Sequence, residues 1–123
     1  MPCSLTRTFT FYATHGYPGS DVHGHHYRIG VTVTGPLDPV RRMVIDLDAL
    51  DGILTEAVTS RLDHRHLNDT IPAFRDGSRW PSCEALAEWC WQEIASRLPG
   101  QSRLERIRVA EDDTLWADCT GTA

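Results

Sequence analysis

The chain contains no lysine. All 12 of its basic residues are arginine, set against 17 acidic ones, for a formal net charge of −5. The arginines are scattered, and Arg41-Arg42 is the one adjacent pair. Binding along a phosphate backbone needs clustered cations, so a nucleic-acid partner is excluded as an expectation. Isolated guanidinium groups remain suited to a small phosphorylated ligand. No long apolar run is present, which excludes a membrane-spanning helix. The start, Met1-Pro2-Cys3-Ser4, lacks a basic segment followed by an apolar one, so no secretory leader is read there and a cytoplasmic location is expected. The four cysteines, Cys3, Cys83, Cys90 and Cys119, show no C-x-x-C spacing, which favours reduced, packed thiols over disulfides or a thiolate metal site.

What is present is the patterning of one soluble domain over residues 1–123, with 41% hydrophobic and 24% charged residues. Two runs alternate with the period of half-buried strands. In residues 5–14, Leu5, Phe9, Phe11 and Ala13 share a face. In residues 24–35, Tyr27, Ile29, Val31 and Val33 do. Turn formers fill the interval 16–22. A helix follows, with Asp46 or Asp48 as N-cap and Leu47, Leu50, Leu54, Ala57, Val58 and Leu62 in one stripe. Residues 69–80 read as irregular. A second helix starts at Ser82 and closes at Pro99-Gly100. The chain ends in a hairpin, residues 104–111 and 115–119, turning at Asp112-Asp113. The order strand-strand-helix-helix-strand-strand predicts an α+β fold in two layers: a four-stranded antiparallel sheet with both helices on one face. Its two free edges suggest association with further copies.

Three histidines carry the strongest chemical signal. Extended along the apolar face of each strand, the period-two pattern reaches His15 on the first and His25 and His23 on the second. An antiparallel hairpin brings all three to one end. Three neutral imidazoles with room for water are the donor set of a catalytic zinc site. His26 points to the other face. Asp63-His64 pairs an acid with an imidazole, as general acid–base chemistry requires, although a dipeptide this short by itself reads first as a helix C-terminus and a turn. Glu111 shares a strand face with Ile107 and Val109. It is either a sheltered carboxylate awaiting a ligand with two N–H donors or a strand-end acid in water. Glu84 suits the first turn of the second helix, and Trp80 is a stacking surface or a packing residue.

Taken together, Phe11-x-Ala13-x-His15 and His23-Gly24-His25-x-Tyr27 resemble the zinc signature of the 6-pyruvoyl-tetrahydropterin synthases and of the 6-carboxy-tetrahydropterin synthases of queuosine biosynthesis. Leu62-Asp63-His64-x-x-Leu67-Asn68, Pro81-Ser82-Cys83-Glu84 and Val109-Ala110-Glu111 follow in the family's order. The resemblance implies the tunnelling fold, assembly into trimers and hexamers, and active sites at subunit interfaces. It implies that His15, His23 and His25 hold zinc and that Glu111 anchors a pterin ring, assisted by Glu84 and the Ser82-Cys83 segment. It also implies that Asp63 and His64 belong to a proton relay acting on 7,8-dihydroneopterin triphosphate or a related reduced pterin, a lyase reaction.

One departure is plain. The family's relay cysteine, four positions before the H-G-H, is replaced here by Gly19, and the loop 16–22 holds no cysteine. Asp21, Ser20 or Tyr17 are the stand-ins within the loop, with Asp21 the best base among them, and Cys83 is the nearest alternative thiol in the motif. Two readings result: a zinc-dependent pterin enzyme with an altered proton-transfer group, and a non-catalytic homologue that binds a pterin or purine-like ligand.

Overall fold

A computed structural model describes residues 3–121. Its centre is a long antiparallel hairpin, β1 (Cys3–His15) and β2 (His23–Gly35), in unbroken register from Cys3↔Gly35 to His15↔His23. Strands β4 (Arg103–Asp112) and β5 (Leu115–Cys119) extend the sheet from β2. A two-residue strand, β3 (Arg65–His66), lies parallel to β1 beside Ala13 and Thr14. The sheet therefore has five strands in the order β3-β1-β2-β4-β5, rather than the four expected. A run this short carries no period-two signal, so only the tertiary position of the segment after the first helix reveals it.

The first helix runs as α1 (Leu47–Leu54), a π-helical turn (Thr55–Thr59) and α2 (Ser60–Leu62). Asp46 caps it, accepting the Ala49 N–H at 3.0 Å. Two single-turn helices, α3 (Leu67–Thr70) and α4 (Pro72–Arg75), occupy part of the segment read as irregular; Pro72 starts the second, where its missing N–H costs nothing. Helix α5 (Cys83–Ala95) begins at Ser82, whose hydroxyl accepts the Ala85 N–H. It stops four residues short of the Pro99-Gly100 breaker, in a turn closed by Arg97 N–H to the Ile94 carbonyl.

The core lies between the helices and one sheet face. Ile29, Val31, Val33, Ile107 and Val109 from the sheet meet Leu50, Val58, Leu62, Leu86, Cys90 and Ile94 from the helices, all essentially inaccessible to water. Leu104 and Ile107, three apart, both face this core. The register slips between Thr32↔Arg106 and Val33↔Leu104, so Glu105 is an extra residue that reverses the alternation. The opposite sheet face has no helix over it. Among the described residues, no helix is long and apolar enough to cross a membrane.

Candidate metal and pterin site

The closed end of the β1–β2 hairpin gathers the histidines. The pairs His15↔His23 and Ala13↔His25 set His15 and His25 as diagonal neighbours on the core face, and their rings meet edge to face at 5.0 Å. Their Nε2 atoms lie 3.1 Å apart. His15 is buried, and its Nδ1 donates to the Pro81 carbonyl at 2.8 Å. A carbonyl only accepts, so that bond places the ring proton on Nδ1 and leaves the Nε2 lone pair facing His25. Burial lowers the His15 pKa, and the neighbouring imidazoles act in the same direction; together these outweigh the Pro81 bond and Glu111, and the ring is held neutral.

Glu111 joins the pair from β4. Its Oε2 stands 3.4 Å from His25 Nε2 and 3.8 Å from His15 Nε2. Alternation from Ile107 and Val109 sets it on this face, and a second bulge, against β5, falls at the same position. Ala110 pairs with Trp116 and Asp112 with Leu115, so Glu111 is an unmatched residue in the ladder. Ligand atoms of His15, His25 and Glu111 lie within 4.8 Å of one another, the one such group of three among the described residues.

The donor set suits zinc. Two nitrogens bound at about 2.0–2.1 Å to one tetrahedral ion stand about 3.3 Å apart, close to the separation seen here. The Pro81 carbonyl supplies the outer hydrogen bond that metal-bound imidazoles generally have. His23 is next on the same face, but its exposed ring has its centroid 6.4 Å from that of His25 and lies outside the group of three. Donors offered by His15 and His25, with a third from His23 or Glu111, would hold the ion.

The H-G-H spacing has a steric cause. A Cβ at Gly24 would lie 2.0 Å from the Tyr12 hydroxyl, because that phenol crosses the strand above it. Gly24→Ala is expected to displace Tyr12 and twist the hairpin end, costing about 1–3 kcal/mol of stability, with Tyr12→Ala in the same chain restoring most of it. Thermal denaturation of the two variants measures this.

Asn68 clamps the start of the 16–22 loop from both sides. It accepts the Gly16 N–H at 3.0 Å and donates to the Gly16 carbonyl at 2.9 Å. Beyond it, Tyr17 packs edge-on against His15 at 5.3 Å and lies 5.8 Å from Trp80, forming an aromatic wall beside the metal group. Burial raises the Tyr17 pKa, so at neutral pH it is a phenol and not a phenolate base. Asp21 is exposed at the end of the same loop. The Asn68 clamp, the Pro81 carbonyl and the Tyr17–Trp80 wall were not assigned from sequence. Of these, Asn68 and Pro81 lay within motifs the sequence shows, but nothing there signals which groups they bond.

Cys83 is buried against β4, and burial together with the Glu111 charge pushes its thiol up to about 11. A thiol held protonated is a poor proton acceptor near neutrality. Its alkylation by iodoacetamide should therefore stay slow from about pH 7 to about pH 9 and accelerate only as the pH nears the raised value; peptide mass spectrometry reads the site. Ser82 is occupied as the helix cap, and Glu84 is exposed in the first turn of α5.

Asp63 and His64 stand apart from this group. Asp63 accepts the Tyr12 N–H at 3.0 Å, and the His64 N–H donates to the Tyr12 carbonyl. His64 has φ of 60°, a left-handed conformation these two bonds impose on a non-glycine residue. Its exposed ring lies beside that of Tyr12, whose side chain leaves β1 on the face opposite His15. Within one chain the acid–imidazole pair and the metal group do not meet.

A five-stranded sheet with two long helical segments on one face defines a two-layer α+β protein of the tunnelling-fold type, and the histidine pair with a carboxylate at its hairpin end is a candidate metal site. The family model described as 6-pyruvoyl tetrahydropterin synthase matches residues 4–122, and the chain belongs to that family. It is 38% identical over 91 residues to the 6-pyruvoyl tetrahydrobiopterin synthase of Poecilia reticulata, covering 74% of this chain and 60% of the other. It is 30% identical to the 6-carboxy-5,6,7,8-tetrahydropterin synthase of Synechocystis, covering 92% and 89%, and 30% identical to the dihydroneopterin monophosphate aldolase of Pyrococcus furiosus, covering 80% and 77%. The chain spans about three fifths of the length of the curated 6-pyruvoyl tetrahydrobiopterin synthases it matches. The fold is that of the Caenorhabditis elegans 6-pyruvoyl tetrahydropterin synthase, with a TM-score of 0.87 at 22% identity over 99% of this chain and 97% of the other.

Proposed function

We propose that this chain is a zinc-dependent enzyme that processes a reduced pterin, with 7,8-dihydroneopterin triphosphate or a close relative as substrate and with Asp21 in place of the family's loop thiol. The observation that carries this reading is the convergence of His15, His25 and Glu111, with the His15 tautomer fixed by Pro81, in a member of this family. Zinc, when bound, supplies a Lewis acid that polarises the oxygens of a substrate side chain and acidifies the adjoining C–H bonds.

The protein groups do the rest. The sheltered Glu111 carboxylate has the two acceptor oxygens that match the paired N–H donors of an aminopyrimidinone ring. Tyr17 and Trp80 flank that position and exclude water from one side. Glu84 and the Ser82-Cys83 turn border it, and Cys83 contributes packing. Asp21, exposed at the end of the loop, is the base that takes a proton from the substrate carbon. Asp63 and His64 move protons within a site completed by a second copy of the chain, a reading consistent with their separation from His15 within one chain. On this reading the chain acts as a homo-oligomer, the trimer or hexamer that the family resemblance implies.

Zinc-loaded protein incubated with 7,8-dihydroneopterin triphosphate should release tripolyphosphate and a new pterin, separable by chromatography. Asp21→Asn should slow this by about 100-fold or more while leaving pterin binding intact. Binding without turnover of any reduced pterin would instead favour a ligand-binding homologue, the reading that the missing loop thiol supports. A monomer at working concentration, seen by sedimentation, would overturn the composite site.

A further inference from the structure

The face of the sheet away from the helices carries a hollow of about 290 Å³, remote from the histidine group. Its shape follows from the ladder. One row across the strands reads Thr8, Gly30, Arg108, Asp118, and the next reads Thr10, Arg28, Ala110, Trp116. Gly30 and Ala110 are the small residues at its floor, and around them rise Arg28, Arg106, Arg108 and Trp116.

The three arginines differ in their partners. Arg108 is held by Asp118 through two bonds, at 2.7 and 3.0 Å, and lies over the Trp116 ring at 5.3 Å. Among the described residues, neither Arg28 nor Arg106 has a carboxylate within ion-pair distance. Of the acids at one rim, Asp112 is engaged by the Thr114 N–H and hydroxyl. Two guanidinium groups with no ion-pair partner among the described residues thus line one concave floor, with Asp113 also at its rim, in a chain whose net charge is −5 and which uses arginine for every cation. Guanidinium forks match tetrahedral oxyanions with paired N–H donors, and a hollow with a floor limits the ligand to a small one.

We propose that this hollow is a second ligand site, taking a small phosphate- or polyphosphate-bearing anion between Arg28 and Arg106. It lies on the opposite face of the sheet from His15, His25 and Glu111, and it does not depend on what those residues catalyse.

Isothermal titration of the full chain with inorganic pyrophosphate at low ionic strength tests it. Wild type should bind, Arg28→Gln and Arg106→Gln should each weaken binding by about tenfold or more, and the double variant should abolish it. His25→Ala, altered only at the other face, should bind as wild type. Arg41→Gln should also bind as wild type, because Arg41 is paired with Asp46 elsewhere on the surface. Both hollow-lining side chains reach solvent, and circular dichroism verifies that the variants fold. Absence of binding at millimolar pyrophosphate, wild-type affinity in the Arg28 and Arg106 variants, or equal weakening by Arg41→Gln or His25→Ala would each overturn the site.

Discussion

Replacing His23 with alanine is expected to strip zinc from the protein, lowering its metal affinity by at least about 100-fold, whereas Glu111→Gln should keep the metal and lose pterin binding by a similar factor. Even outer hydrogen-bond partners of metal ligands are worth about 10- to 100-fold, and a direct ligand is worth more. The expectation rests on chemistry and on reach. His23 occupies the last pair of the hairpin opposite His15, is exposed, and is free to rotate toward its neighbours. Glu111 is nearer the two Nε2 atoms, but it is also the sheltered carboxylate on that wall able to meet a ligand with parallel N–H donors. Three imidazoles and two imidazoles with a carboxylate are both established zinc donor sets, so metal analysis of the two variants decides between them. Zinc retained in His23→Ala and lost in Glu111→Gln would assign the carboxylate to the metal.

Ile29→Ala should be the most destabilising single change in the sheet, at about 2–5 kcal/mol. Ile29 is fully buried at the middle of β2, between Phe9 on β1 and Val109 on β4. Close packing around it allows little collapse into the space left behind. Domains of this size have about 5–15 kcal/mol of total stability, so the variant would be marginal. Urea denaturation in the presence of a chelator measures the loss without the contribution of bound metal, which would otherwise mask it.

The two central strands and the two main helices were legible because their burial is periodic. Tyr27, Ile29, Val31 and Val33 alternate in the sequence and all prove buried. Asp46 and Ser82 announced their helices through cap chemistry, which is local. Features depending on distant segments were not legible. Strand β3 is two residues long and exists only because α2 delivers it to the edge of β1. The bulge at Glu105 is invisible to a period count, as is the π-helical turn at residues 55–59.

At the candidate site the division is the same. The sequence by itself determined that His15, His23 and His25 share one strand face, because side-chain direction in a strand follows from parity. It also determined that no thiol lies between His15 and His23, and its motifs pointed to the family that the comparisons established. Tertiary structure alone decided which groups meet. It brought Pro81 to the His15 ring, Asn68 to Gly16 and Glu111 to the imidazoles. It held His64 on the far side of β1 and left Arg28 and Arg106 around an open floor. Parity is a property of a few adjacent residues, whereas the meeting of residues separated by 52, 66 or more positions depends on how every element between them packs.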